Sequence, residues 1–171
     1  MLRSCIALSI LSVGAACASN PDAATQSAAS GTQAASGAKY QVKNDAPRIA
    51  ELKNKNLEAG QCGMLLWTVA QGEPIMIFRN VEGRQAEMII DGAPARLDLV
   101  EEEGERRYGV AAEQAYTLEA GTPGETRVKV SASFGTPFEG GVYVEQGVIT
   151  LRNFFGWERV TPVAGLAGCR A

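Results

Sequence analysis

QAEMIIDGAPARLDLV, residues 85–100, sets two short apolar segments on either side of Asp91-Gly92. An Asp-Gly pair between such segments is a strong short-range hairpin signal, because both residues tolerate the positive φ that a two-residue type I′ turn requires. The stretch therefore predicts strands over Gln85 to Ile90 and Ala95 to Val100. The same pattern continues outward in both directions. Met64 to Ala70 and Pro74 to Asn80 flank Gln71-Gly72-Glu73, and Val142 to Glu145 and Val148 to Asn153 flank Gln146-Gly147. Between these hairpins Arg127, Lys129 and Ser131 alternate with Val128, Val130 and Ala132, as on a strand with one buried face. Trp157 to Val163 supplies a closing strand. Short apolar segments at this spacing predict a mainly β chain, a single antiparallel β-sandwich or barrel.

The chain has 171 residues, enough for one core of this kind once the N-terminal stretch is set aside. Residues 45–171 are assigned to the globular β domain, and its start admits one short N-terminal helix over 46–55. Asp45 can cap it, Pro47 suits its first turn, Ile49 and Leu52 lie three apart, and Lys53 and Lys55 complement the dipole at its end. From 17 to 44 the sequence is rich in Ala, Ser, Thr, Gln and Gly and nearly empty of large apolar residues, the composition of a flexible linker. Treated as a coil, that linker reaches about 30 Å.

Composition narrows the chemistry. The chain contains no His, which removes Ser-His-Asp and Cys-His catalysis and most zinc sites. Sixteen basic side chains stand against 19 acidic ones, for a formal charge of −3, without a basic run to track phosphates. Nucleic acid is not an expected partner. No catalytic residue, metal site or cofactor is assigned. Glu101, Glu102, Glu103 and Glu105 around Gly104 read as a solvated hairpin tip balanced by Arg106 and Arg107. Lys129, Ser131 and Ser133 share one strand face without an SxxK or GxSxG motif, and read as a polar surface. A His-free hydrolase would have to bring together two of Glu87, Asp91, Asp98 and Glu158.

Residues 1–16 read as a signal peptide: Arg3, then an apolar run over 6–16 too short to span a bilayer permanently, then small residues. Gly14-Ala15-Ala16-Cys17 resembles the lipobox of bacterial lipoproteins, in which the Cys is lipidated and becomes the new N-terminus. The resemblance implies a lipid on Cys17 and a membrane partner held through that anchor, with the chain in the bacterial cell envelope facing the periplasm or exterior. The alternative is cleavage before Ser19 and a soluble secreted or periplasmic protein.

Cys5 and Cys17 belong to the leader or its anchor, which leaves Cys62 and Cys169 of the four Cys residues. In an oxidising compartment they are expected to pair, fastening the first segment of the domain to its last. Late aromatic residues concentrate in NFFGWE, where Phe154, Phe155 and Trp157 surround Gly156. Adjacent strand residues point to opposite faces, so one ring would cap the core from a loop or form part of a contact surface for an envelope protein or glycan. The functional expectation is a non-enzymatic binding or structural role in the envelope. Two alternatives accompany it: inhibition of an envelope-directed hydrolase such as lysozyme, whose small β lipoprotein inhibitors carry a motif faintly echoed in SASFG at 131–135, and the carboxylate hydrolase.

Overall fold

The structure, a computed structural model, describes residues 45–69, 72–82 and 84–171. The signal segment, Cys17 and the linker over 17–44 lie outside the described residues. Nine strands follow one another: β1 Ile49–Ala50, β2 Cys62–Thr68, β3 Met76–Val81, β4 Gln85–Ile90, β5 Ala93–Arg107, β6 Val110–Leu118, β7 Thr126–Phe138, β8 Gly141–Asn153 and β9 Glu158–Cys169. All pairings are antiparallel, and β2 to β9 form an up-and-down meander in which each strand pairs with the next. The last strand then pairs with the first, from Cys62↔Cys169 to Thr68↔Val163. The sheet closes on itself as an eight-stranded barrel, and β1 is an extra strand on β4.

Alternation decides which side chains fill the barrel. Met64 and Leu66 on β2, Phe78 on β3, Met88 on β4, Leu97 on β5, Tyr116 on β6, Val128 and Val130 on β7, Ile149 and Leu151 on β8 and Val163 on β9 form one buried cluster. The intervening residues face outward, and on β5 to β7 they include Glu101, Glu103, Glu113 and Lys129. An apolar interior and a charged exterior are the reverse of an outer-membrane barrel, whose outer band is apolar.

The Asp91-Gly92 hairpin forms as expected, with φ of 54° and 82° at its two turn residues. Three local expectations change. Residues 46–55 are not helical: after β1 the chain runs extended, because its backbone groups find partners on the barrel that a helix would forgo. The Asp91 amide donates to the Arg48 carbonyl and the Arg48 amide to Asp91 Oδ1, the Leu52 amide donates to the Met76 carbonyl at 2.8 Å, and Arg79 Nε donates to the Asn56 carbonyl at 3.0 Å. The glutamates at 101–105 belong to β5 rather than to a hairpin tip. The turn is Tyr108-Gly109, where both φ values are positive, and Gly104 sits where β5 bulges against β6. Gln146-Gly147 likewise makes no turn, since β8 runs straight through it with a bulge between Val144 and Gly147. A Cβ on Gly147 would meet the Ser131 carbonyl and Val163 at 3.0 Å, so the glycine permits close strand approach.

The segment over 45–61 acts as a strap. Its start is bonded to β8 and β9, through Asn153 Nδ2 to the Asp45 carbonyl and Arg159 Nε to the Pro47 carbonyl. Two residues after Pro47, at Ile49, it pairs with β4, which stands opposite β8 in the closed order, so the strap crosses that end of the barrel. Pro47 is buried there and Ile49 packs on the core. The strap then descends outside β3 and β2, burying Leu52 and Leu57 against Leu65 and Met76 in a second cluster. Buried Arg79 lies beneath it, its charge met by Glu87 at 2.9 Å. At the far end, Gly60 donates to the Arg170 carbonyl and Arg170 Nη1 to the Leu57 carbonyl.

Cys62 and Cys169 are directly opposed on β2 and β9 and are joined by a disulfide closing 107 residues of sequence separation. Chain entropy values such a closure at roughly 4 to 5 kcal/mol. Reduction, or the Cys62→Ala/Cys169→Ala pair, should lower unfolding free energy by about 2–5 kcal/mol in urea titrations while the folded near-ultraviolet spectrum persists. The β2–β9 seam is tight elsewhere too: a Cβ on Gly165 would fall 2.0 Å from the Leu65 carbonyl oxygen. Gly165→Ala should cost about 1–3 kcal/mol through the backbone shift it forces, read from the same titrations.

Candidate functional site

The β8–β9 turn gathers the three late rings. Asn153 builds it: its amide and carbonyl bond to the Trp157 carbonyl and the Gly156 amide, and its side-chain oxygen accepts from the Trp157 amide at 3.0 Å. Gly156, at φ 86°, supplies the left-handed conformation the turn needs. A turn so bonded cannot fold back onto the barrel. Phe154, Phe155 and Trp157 consequently stand 59%, 45% and 49% exposed, with the two Phe rings edge to face at 5.5 Å. None of the three caps the core, although the sequence allowed for a ring that did.

Below the turn, beyond Glu158 at its head, the outer row of β9 is Val160, Pro162, Ala164 and Leu166. Val160 is opposite Thr150, Pro162 is opposite the exposed Val148, and the amide of exposed Val69 donates to the Pro162 carbonyl. Seven of the eight large hydrophobic residues exposed among the described residues therefore lie on or beside this turn and the two strands leading from it, Tyr143 at the far end of β8 and the other six nearer the turn. Scattered single apolar residues need no explanation, but a contiguous set around three aromatic rings marks a contact surface.

The opposite side of the barrel is acidic. A groove of about 460 Å³ runs outside β5 to β7, floored by Ala115 and walled by Glu101, Glu103, Glu113, Lys129 and Ser131. Small Ala115 lies between the long side chains of Glu101 and Lys129, its register partners, which makes the surface concave. Ser131 donates its hydroxyl to Glu113 at 2.6 Å, and Lys129 approaches that same carboxylate at 3.6 Å. Neither contact activates Ser131, whose proton is held by an acceptor on the surface rather than drawn by a desolvated base. The four carboxylates considered for hydrolysis lie on four different elements, each with its own partner. Glu87 binds Arg79 outside β4, Asp91 sits in the β4–β5 turn, Asp98 faces Gln85 across β5, and Glu158 neighbours Arg152 at the head of β9. Among the described residues no group of three His, Cys, Asp or Glu side chains is arranged to hold a metal ion.

One polar constellation went unread in the sequence. Inside the barrel Asn80 donates to the Tyr116 hydroxyl, which donates to Gln114 Oε1 at 2.6 Å. Burial pushes the Tyr116 phenol above its ordinary range, the Asn80 bond opposes this, and the Glu102 charge adds to it. The phenol is thus fixed as a neutral donor. Two polar residues at inward positions two apart, Gln114 and Tyr116 on one strand, were the available signal, but their Asn80 partner is contributed by a distant strand.

At the disulfide end the 134–141 stretch is not a protruding loop: β7 runs through Phe138, paired with β8, and leaves only Glu139-Gly140 as the turn. Glu145 secures the bulged backbone there, accepting from the Thr136 amide and hydroxyl at 2.9 Å. The Thr136 amide, followed by its hydroxyl, holds the Glu145 carboxyl below its ordinary 4.5. Because the folded value is depressed, the local stabilisation is complete above the unfolded value and is lost as pH falls through the folded one. The Thr136 amide resonance should therefore move in acid with a midpoint below 4.5, and Glu145→Gln should abolish that titration.

In comparisons with known proteins, no family model matches this chain, and no curated protein or solved structure matches it either, so the candidate surface stands on its own geometry.

Proposed function

We propose that this chain is an exported bacterial lipoprotein whose barrel serves as a non-enzymatic binding module of the cell envelope, with Phe154, Phe155 and Trp157 as its contact. The observation that carries this reading is the exposed aromatic turn on a closed, disulfide-fastened scaffold. Exposed rings give large contact area at low entropic cost when the backbone beneath them is already fixed. The lipobox-like Gly14-Ala15-Ala16-Cys17 and the linker that follows supply the tether and the address. A second reading, inhibition of an envelope-directed hydrolase such as lysozyme, is favoured by the same turn, which protrudes as a wedge for a cleft would.

Two measurements test the proposal. Mass spectrometry of the mature protein should find an acylated Cys17 at the N-terminus, and a mature chain starting at unmodified Ser19 overturns the anchor. The unlipidated Cys17→Ser chain should bind isolated envelope fractions, and Phe154→Ser/Phe155→Ser should reduce that binding roughly tenfold. Equal binding by the two chains would remove the aromatic turn from the contact. Loss of lysozyme activity on adding the chain would favour the inhibitor reading.

A further inference from the structure

We propose that the barrel itself docks on a lipid bilayer, inserting the Phe154-Phe155-Trp157 turn and laying the outer face of β8 and β9 along the interface. The inference deepens the contact-surface reading above and rests on it. Three independent features of the molecule favour a bilayer over a protein as the occupant.

The first is the chemistry of the patch. Aromatic rings are the side chains most enriched at membrane–water interfaces, and here three of them form a tip backed by Val69, Val148, Val160 and Pro162. Beside the tip Arg152 pairs with Glu158, Arg127 with Glu125 and Arg48 with Asp45, while Arg159 binds the Pro47 carbonyl, so the tip carries one net positive charge towards lipid headgroups.

The second is the distribution of charge around the barrel. In the closed strand order β5 stands four strands from β9, directly opposite it. The acidic side chains Glu101, Glu102, Glu103 and Glu105 lie on β5, with Glu113 on its neighbour β6. Arg106 and Arg107 pair with Glu102 and Glu105, and Lys129 with Glu113, which leaves Glu101 and Glu103 as the acidic excess. The cross-section is thus amphipathic: an apolar row on β9 beyond Glu158 and a net acidic wall across the barrel from it. An anionic bilayer repels the wall and accepts the row, which orients the barrel with its groove towards water.

The third is where the chain enters. Described residues begin at Asp45, whose carbonyl accepts from Asn153 Nδ2 in the aromatic turn itself, so the segment leading back to Cys17 joins the barrel at the tip. Asp45, the described residue nearest to Cys17 in sequence, is thus at the tip rather than at the disulfide end. Tethering raises the effective concentration of a weak surface contact without adding to its intrinsic strength.

The test uses the full chain with Cys17→Ser, so that no acyl group contributes, and pure vesicles of phosphatidylethanolamine with phosphatidylglycerol. Trp67→Phe leaves Trp157 as the single Trp, and its emission should shift to the blue on vesicle addition and be quenched by brominated acyl chains. Co-sedimentation, which needs no Trp67 substitution, should show vesicle binding reduced roughly tenfold by Phe154→Ser/Phe155→Ser and unaltered by Val100→Ser, an exposed apolar residue on β5 across the barrel. Unchanged Trp157 emission together with no co-sedimentation of a chain folded by circular dichroism would overturn bilayer docking. If envelope fractions still bind through the turn while pure vesicles do not, the surface recognises a protein or glycan and the contact reading survives. A dimer that dissociates on Phe154→Ser/Phe155→Ser, without vesicle binding, assigns the patch to a second copy and also overturns the proposal. Failure in both envelope fractions and vesicles rejects both readings.

Discussion

The pairing of β2 with β9 is the constraint on which the rest of the structure depends. Every other ladder in the barrel joins consecutive strands and can form locally, whereas this one brings together residues 62–68 and 163–169 across nearly the whole domain. Its loop-closure entropy has to be met by contacts that exist only after closure. Gly165 lets the two backbones approach, and the disulfide holds the register at Cys62↔Cys169. Closure also removes the two sheet edges that an open eight-stranded meander would expose to other chains.

Once closed, the barrel has an interior full of side chains, so its chemistry lies outside. The strap exploits this by covering one end and the outer surface of β2 and β3, where Leu65 and Met76 would otherwise meet water. Burying Arg79 beneath it is tolerable because the guanidinium meets both Glu87 and the Asn56 carbonyl, and an unpaired charge there would be strongly destabilising. The cover reaches Leu166 at the disulfide end of β9's outer row but stops short of Val160 and of the aromatic turn. What remains uncovered is a single apolar region at the end where the N-terminal chain arrives, opposite an acidic wall.

This asymmetry ties function to architecture. A rigid turn can afford exposed rings because Asn153 and Gly156 fix its backbone independently of what the rings touch. The neutral Asn80-Tyr116-Gln114 relay inside the barrel belongs to the scaffold, since burial keeps the phenol protonated and away from solvent. Neither the Ser131-Glu113-Lys129 contacts nor the dispersed carboxylates bring reactive groups to a common point, whereas the aromatic turn does gather its residues.

Local information in the chain was enough for the β class, for the Asp91-Gly92 hairpin, for the alternation on β7, for Cys62 and Cys169 as the pair left to crosslink, and for the concentration of rings at 154–157. Each depends on neighbours within a few residues or on elimination by composition. Barrel rather than sandwich depended on whether the first and last strands met, which twist and shear across eight strands decide. The same non-local geometry turned 46–55 from a helix into a strap, because the barrel offered partners such as Asp91 and Met76 to its backbone. It also absorbed Gln146-Gly147 and the glutamates at 101–105 into long strands, where bulges rather than turns accommodate glycine. Periodicity reports which residues alternate, but whether a ring ends buried or exposed depends on what covers it, and only the folded strap determined that Phe154, Phe155 and Trp157 remain open.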